Sequence, residues 1–211
     1  MSLSEWTIVI DTSVTTGAVF LIENEQLVLS SLLEPRRQEE LLAATLEGFL
    51  RLIKDRQGVL TRIILGEGPG SFTGLRISYA FVKGFVACRQ VPTILVSSLV
   101  SLGIAANPQY QLPMTFAREA RRDEYFIQVL SSEGISPTAI IEKNHPSGES
   151  TVTFVEDSLI ETLPSEIVAK AFLSVATHHG QLVTWEEFAA LEPQYGRPAA
   201  AKTSAERKGL R

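Results

Sequence analysis

Apolar positions recur along the first half of the chain with two different periods. "WTIVID" (6–11) is apolar almost without a break, which predicts a strand buried on both faces. "AVFLIE" (18–23) and "LVLSSLL" (27–33) predict two more strands. The hydroxyl-rich "TSVTTG" (12–17) and the turn "NEQ" (24–26) separate the three, giving a meander. The period then lengthens. From Pro35 to about Arg56, Leu42, Leu46, Phe49 and Ile53 recur at helical spacing and predict a core stripe. Leu41, Thr45, Gly48 and Leu52 form a second, smaller-sided stripe. A strand at "TRIILGE" (61–67), a helix from about 71 to 87, a strand at "PTILVSS" (92–98) and a short helix at "SLVSLGIAA" (98–106) complete the run.

The order β-β-β-α-β-α-β-α over residues 1–106 is that of an α/β unit of the ribonuclease H-like type, duplicated in actin-like (ASKHA) folds. The polar, proline-bearing "NPQYQLP" (107–113) marks a lobe boundary. Beyond it, "MTFAREA" (114–120), "EYFIQVL" (124–130) and "PTAIIEK" (137–143) predict a second meander, and "TVTFVED" (151–157) a further strand. Residues 165–172 read as mixed, and His178-His179 as loop before Gly180. Residues 107–198 are too few for a full copy, so the second lobe is expected to be degraded, with fewer helices. Residues 199–211 are a small-residue and basic tail, packed as a helix or frayed.

The second helix of the first lobe is apolar nearly all round. Phe72, Leu75, Tyr79, Val82 and Val86 line one side, and Ile77, Phe81 and Phe85 another. Polar groups shrink to a line through Thr73, Arg76 and Lys83. Gly74 with Ser78, and Ala80 with Gly84 and Cys88, put small residues one turn apart, where another backbone can approach closely. The sheet of its own lobe covers one face only. The remainder is covered by the other lobe, by the C-terminal segment, or by a partner protein, and the second stripe on the 36–56 helix favours a partner.

"GEGPGSFTGLRI" (66–77) precedes that helix. A Walker A loop needs G-x-x-x-x-G-K-[ST], and Leu75-Arg76 stands where Lys-Ser/Thr belongs. A Rossmann turn needs a third glycine where Thr73 stands. What survives is an N-cap by Ser71 or Thr73, or an anion on the free N–H groups. At Asp11-Thr12-Ser13, an acidic residue and hydroxyls follow the first strand, where actin-like ATPases place magnesium and phosphate. Working sites read Asp-x-Gly-Thr. Here no glycine follows until Gly17, so the turn is either a vestigial nucleotide site or a plain turn capped by Asp11.

Charge and composition narrow the classes. The net charge is −5, and the basic clusters are short: Arg36-Arg37, Arg118 with Arg121-Arg122, and the tail. That argues against a chain that grips nucleic acid alone. The Arg118–Glu124 cluster reads either as a solvated hairpin or as an anion or partner contact at the lobe cleft. With three histidines and one cysteine, no zinc quartet or H-E-x-x-H is available, and no metal or catalytic residue is assigned. Cys88 falls in an apolar helical pattern and is expected to be buried. No apolar run reaches the roughly 20 residues of a membrane span, and no secretory signal is visible, so a cytoplasmic location is expected.

These motifs resemble the TsaB (YeaZ) family over about residues 6–198. "IDTS", "GEGPGSFTGLRI", "AREARRDEYF" and "EPQYGRP" occur in that family's order. Gly66–Arg76, with Gly68, Pro69, Gly70, Ser71, Phe72, Thr73, Gly74 and Arg76, reproduces the loop G-x-G-P-G-S-F-T-G-x-R. Ala120, Arg121 and Glu124 match a D-A-R-x-x-E-x-Y element, with Glu119 for its aspartate and Phe126 for its tyrosine. Pro193, Tyr195 and Arg197 match P-x-Y-x-R, while Arg37–Glu39 departs from the family's serine and histidine. The resemblance implies a non-catalytic, actin-like paralogue of TsaD. That enzyme, with the ATPase TsaE, threonylcarbamoylates the adenosine beside the anticodon of tRNA. It implies pairing with TsaD through the two first-lobe helices, with tRNA met only through the complex and ATP or ADP only at the TsaD interface. From the residues, that surface is drawn from Leu41, Thr45, Gly48, Leu52, the 68–74 loop, Arg76, Ile77, Ala80, Phe81 and Gly84. Alone, the chain is expected to form a homodimer through the same helices. The alternatives are a peptidase of cryptic mechanism, after the family's old glycoprotease label, and a nucleotide-dependent kinase.

Overall fold

In the computed structural model, which describes residues 4–121, 123–143 and 152–193, the first sheet is built around β1 (Glu5–Asp11). It pairs in parallel with β4 (Val59–Gly66) on one side and antiparallel with β2 (Gly17–Glu23) on the other. β2 carries β3 (Gln26–Leu33), and β4 carries β5 (Thr93–Val96) in parallel. Two-sided burial explains the unbroken apolar runs. Ile8 and Ile10 of β1 face one core, and Val9 faces the other.

Helices α1 (Gln38–Asp55) and α2 (Phe72–Arg89) cover the first of these faces. Leu42, Leu46, Phe49 and Ile53 of α1 are buried there, as the spacing predicts, and so are Leu75, Tyr79, Val82 and Val86 of α2. Helix α1 starts at Gln38, three residues after Pro35, because the segment 34–37 forms a turn with Arg36 at φ 66°. The opposite face packs on α3 (Ser98–Ala106) and on α5 (Ser165–His179).

The second sheet runs β10 (Val152–Phe154), β6 (Met114–Arg121), β7 (Glu124–Ser131), β8 (Gly134–Ile135), with β9 (Ala139–Glu142) also on β7. Its inner residues Met114, Phe116, Phe126 and Leu130 join the same core as α3 and α5. The two sheets therefore share one apolar body.

Three readings of the second half need correction. The mixed segment 165–172 lies inside the 15-residue helix α5, whose buried stripe is Val168, Ala171, Phe172 and Val175. His178 and His179 form its last turn, where His178 Nδ1 meets the Ser174 carbonyl at 2.8 Å. The chain then crosses back. β11 (Gln181–Val183) pairs antiparallel with β5 of the first sheet. The short helix α6 (Trp185–Ala190), preceded by α4 (Leu159–Thr162) on the way, sets Phe188 against Tyr79 of α2. So residues 181–190, read with the second lobe, complete the first. Three strand residues and six helical ones are too short for a periodic signal.

Candidate functional site

The turn that follows β1 is where the parts of the molecule meet. Asp11 is fully buried, and its Oδ1 accepts from the Ser13 N–H at 3.0 Å and the Ser13 hydroxyl at 2.8 Å. That is an Asx-type turn, the plain geometry an aspartate at this position favours. Burial raises the Asp11 pKa above the ordinary value, opposed by hydrogen bonds from Ser98 and Ser13 and by the charge of Arg118. Thr12 Oγ1 donates to the Gly74 carbonyl and lies 2.8 Å from Ser78 Oγ.

The loop 66–71 docks directly on this turn. The Ser71 N–H donates to the Ser13 carbonyl at 2.7 Å, and the Ser71 hydroxyl caps α2 by accepting from the Gly74 N–H at 3.3 Å. A Cβ built on Gly74 would lie 1.9 Å from the Thr12 carbonyl oxygen, and one on Gly66 would lie 1.9 Å from Asp11 Oδ2. These glycines exist for intramolecular approach. The Ser71 N–H, which faces the turn, is thus already taken by the Ser13 carbonyl.

The second sheet reaches the turn as well. Arg118 on β6 is 4 % exposed, donating from Nη2 to the Ser13 carbonyl at 3.2 Å and from Nη1 to Ser13 Oγ at 3.4 Å. Its Nε lies 3.9 Å from Asp157 Oδ1. Burial lowers the Arg118 pKa, opposed by the charges of Asp157 and Asp11. Thr15 Oγ1 bonds Asp157 at 3.2 Å, and Thr16 Oγ1 bonds Glu161. Gln38, the first residue of α1, donates to the Thr15 carbonyl at 2.9 Å. Sequence reasoning left Arg118 in a cluster read either as a solvated hairpin or as an anion or partner contact at the lobe cleft, and missed Gln38 altogether. The period-2 alternation Met114, Phe116, Arg118 carried the signal for the first.

The expected partner face divides in three. Gly68 and Pro69 are buried, Gly68 bonded through both its N–H and its carbonyl to Ser98; Gly74 is buried against the Thr12 carbonyl and Gly70 half-buried on Ser13, so the loop glycines do not line an outer surface. Of the second α1 stripe, Thr45 faces β3, its Oγ1 3.1 Å from Ser31 Oγ; Leu41 and Leu52 are half-buried on the same side and Gly48 is exposed. The flank of α1 that meets α2 carries Glu39 and Leu50 instead. The third part is outward-facing. Phe72, Thr73, Arg76, Ala80 and Gly84 of α2 are exposed, with Ile77 and Phe81 half-buried beside them. Glu39, Phe72, Thr73, Arg76, Ile77, Ala80 and Phe81 line an open groove of about 500 Å3. The Arg76 guanidinium lies over the Phe72 ring at 5.3 Å. Cys88, expected inside, is exposed at the end of this outer face, since it falls opposite the Leu75–Val82 stripe. Arg121 and Glu124 are opposite one another in the backbone register at the β6–β7 turn, and Pro193 is buried at the end of the described chain. Tyr195 and Arg197 lie outside the described residues.

Among the described residues there is no cluster of three or more metal-ligating side chains, and no helix is long and apolar enough to cross a membrane.

A family model described as TsaD, tRNA N6-adenosine threonylcarbamoyltransferase, matches residues 36–142, about half of the chain. The tRNA threonylcarbamoyladenosine biosynthesis protein TsaB of Haemophilus influenzae is 36% identical over 70 residues, 32% of this chain. The match spans 30% of that relative's length. Two solved structures share the fold at 20% identity. YeaZ from Pseudomonas aeruginosa has a TM-score of 0.61, covering 90% of this chain and 100% of its own. The second, described as an uncharacterized protein with similarity to peptidase YEAZ from Pseudomonas aeruginosa, has a TM-score of 0.62, covering 93% and 100%. With this match over half its length, the chain belongs to the TsaD family of that model.

Proposed function

We propose that the chain is a non-catalytic subunit of the machinery that forms threonylcarbamoyladenosine in tRNA, pairing with TsaD and working with TsaE. Membership of the family supports the pathway. The observation that carries the subunit role is the outer face of α2, where Phe72, Thr73, Ala80 and Gly84 are exposed beside half-buried Ile77 and Phe81. A helix that turns aromatic and small residues outward together has the composition of a docking face. Burial of the loop glycines moves that face away from the 66–71 loop and onto the helix body.

Nucleotide enters this reading only at the junction with TsaD; in support, the 66–74 loop lies directly against the chain's own hairpin. The tRNA is met through the complex. In the absence of TsaD, the same face pairs two copies of the chain about a two-fold axis. Mixing the chain with TsaD and measuring complex mass by light scattering, with and without ATP, tests the reading. One-to-one assembly is the expected result. Two separate species at micromolar concentration would overturn it.

A further inference from the structure

The 11–16 turn gathers contacts from α1, from the start of α2 and from the second half of the chain. Gln38 ties it to the start of α1. Ser71 and Thr12 tie it to the first turns of α2. From the second half of the chain come Arg118 of β6, Asp157 of the loop after β10 and Glu161 of α4. The Ser13 carbonyl is the shared point, accepting from the Ser71 N–H and from Arg118 Nη2 at once. Two donors on one buried oxygen fix it in two directions, and the α2 N-terminus is one of those donors.

We propose that Arg118 is a positioning residue for the α1–α2 docking face: it ties the second sheet to the Ser13 carbonyl and thereby holds the first turn of α2 in register with α1. A guanidinium of the chain itself makes that tie. The second lobe thus contributes to partner recognition without touching the partner. The consequence for TsaD rests on the function proposed above; the coupling itself does not. An arginine with both Nη groups buried on one residue is poorly replaced by lysine, which brings one ammonium in place of a fork.

Amide hydrogen exchange on the full chain tests the coupling, and affinity for TsaD tests its consequence. Arg118→Met keeps the length of the side chain and removes its donors. Exchange at Ser71 and Leu75 should rise by about ten-fold, the loss expected for hydrogen bonds to a charged group. Exchange at Ile8–Ile10 of β1 should stay as it is, and TsaD should bind about ten-fold more weakly. Arg118→Lys should recover part of both effects. Unchanged exchange at Ser71 and Leu75 would overturn the proposal, as would a rise spread evenly over the first sheet. Should Arg118→Met fail to fold, Asp157→Asn, altering an exposed side chain 3.9 Å from Arg118 Nε, carries the same test. Faster exchange confined to Ser71 and Leu75 then supports the proposal, and an unchanged pattern overturns it. If the unaltered chain does not bind TsaD, the partner consequence falls with the reading it rests on, and the exchange data still decide the coupling.

Discussion

Gly84→Arg separates the stability of the chain from the use of its outer face. A Cβ built on Gly84 meets nothing within 4 Å, so the new side chain has open space in the monomer. Replacing a mid-helix glycine also removes backbone entropy from the unfolded chain, worth about 0.5–1 kcal/mol of added stability. The isolated variant should therefore melt at or slightly above the temperature of the parent. In a complex that covers Ile77, Phe81 and Gly84, the guanidinium must be stripped of water against apolar groups without a carboxylate. Such a charge costs several kcal/mol, reduced by the reach of a long side chain toward the rim. A net penalty of about 3 kcal/mol is roughly a hundred-fold in Kd. Titration calorimetry against TsaD, beside a thermal melt of each variant alone, reads both quantities. Gly84→Ala is the control, since it gains the same helix stability with no charge and should bind TsaD almost as the parent does. Ala80→Arg, one turn earlier on the exposed line, should behave as Gly84→Arg does. Parental affinity in both arginine variants would refute the placement of the interface.

Other outcomes follow from the turn. Gly74→Ala drives a methyl group into the Thr12 carbonyl and should cost about 1–3 kcal/mol by urea denaturation. Ser71→Ala removes the α2 cap and should cost about 1 kcal/mol in the same assay. For Asp11, the folded pKa lies above the ordinary 3.8, so the folded chain holds this proton where the unfolded chain has released it. Stability attributable to the group must fall as pH rises from 3.8 to the folded pKa. Asp11→Asn should therefore gain on the parent across that window in pH-dependent melts, and parallel curves would show the reasoning wrong. Magnesium-ATP added to the chain alone should leave its melting temperature unchanged, because a ligand stabilises only a fold that binds it.

How far the sequence could be read depended on element length and on which side of an element was asked about. The strands 6–11, 18–23 and 27–33 and the helices over 36–56 and 71–87 declared themselves, because each is long enough for its period to show. β11 and α6 did not, being too short, and α5 was half-hidden by its small residues Ala169, Ala171, Ser174 and Ala176. The inward stripe of α2 was legible, since burial selects for it directly. The orientation of the 41–45–48–52 stripe was not. Helical spacing says that these residues share a face, and only the Ser31–Thr45 contact says which neighbour they face. The glycine loop carried the family signature, but its chemistry was legible only by exclusion. That Gly74 exists for the Thr12 carbonyl requires knowing that residues sixty positions apart touch. Arg118 was visible as a charge and invisible as a buried one, for its partner is a backbone carbonyl, which leaves no mark in sequence.

The return of β11 to β5 has a consequence for how the chain acquires its structure. Until residues 181–183 arrive, "TILV" of β5 is an open edge, apolar and free of charge, the kind of strand that pairs with whatever edge it meets. A ribosome-bound or proteolysed chain ending near residue 180 would carry that edge exposed beside an uncovered Tyr79, and aggregation is its expected fate. Pairing of β11 closes the edge by joining segments separated by almost ninety residues. The first lobe cannot then finish folding ahead of the second. The molecule should unfold in one cooperative transition, with no independently stable N-terminal half.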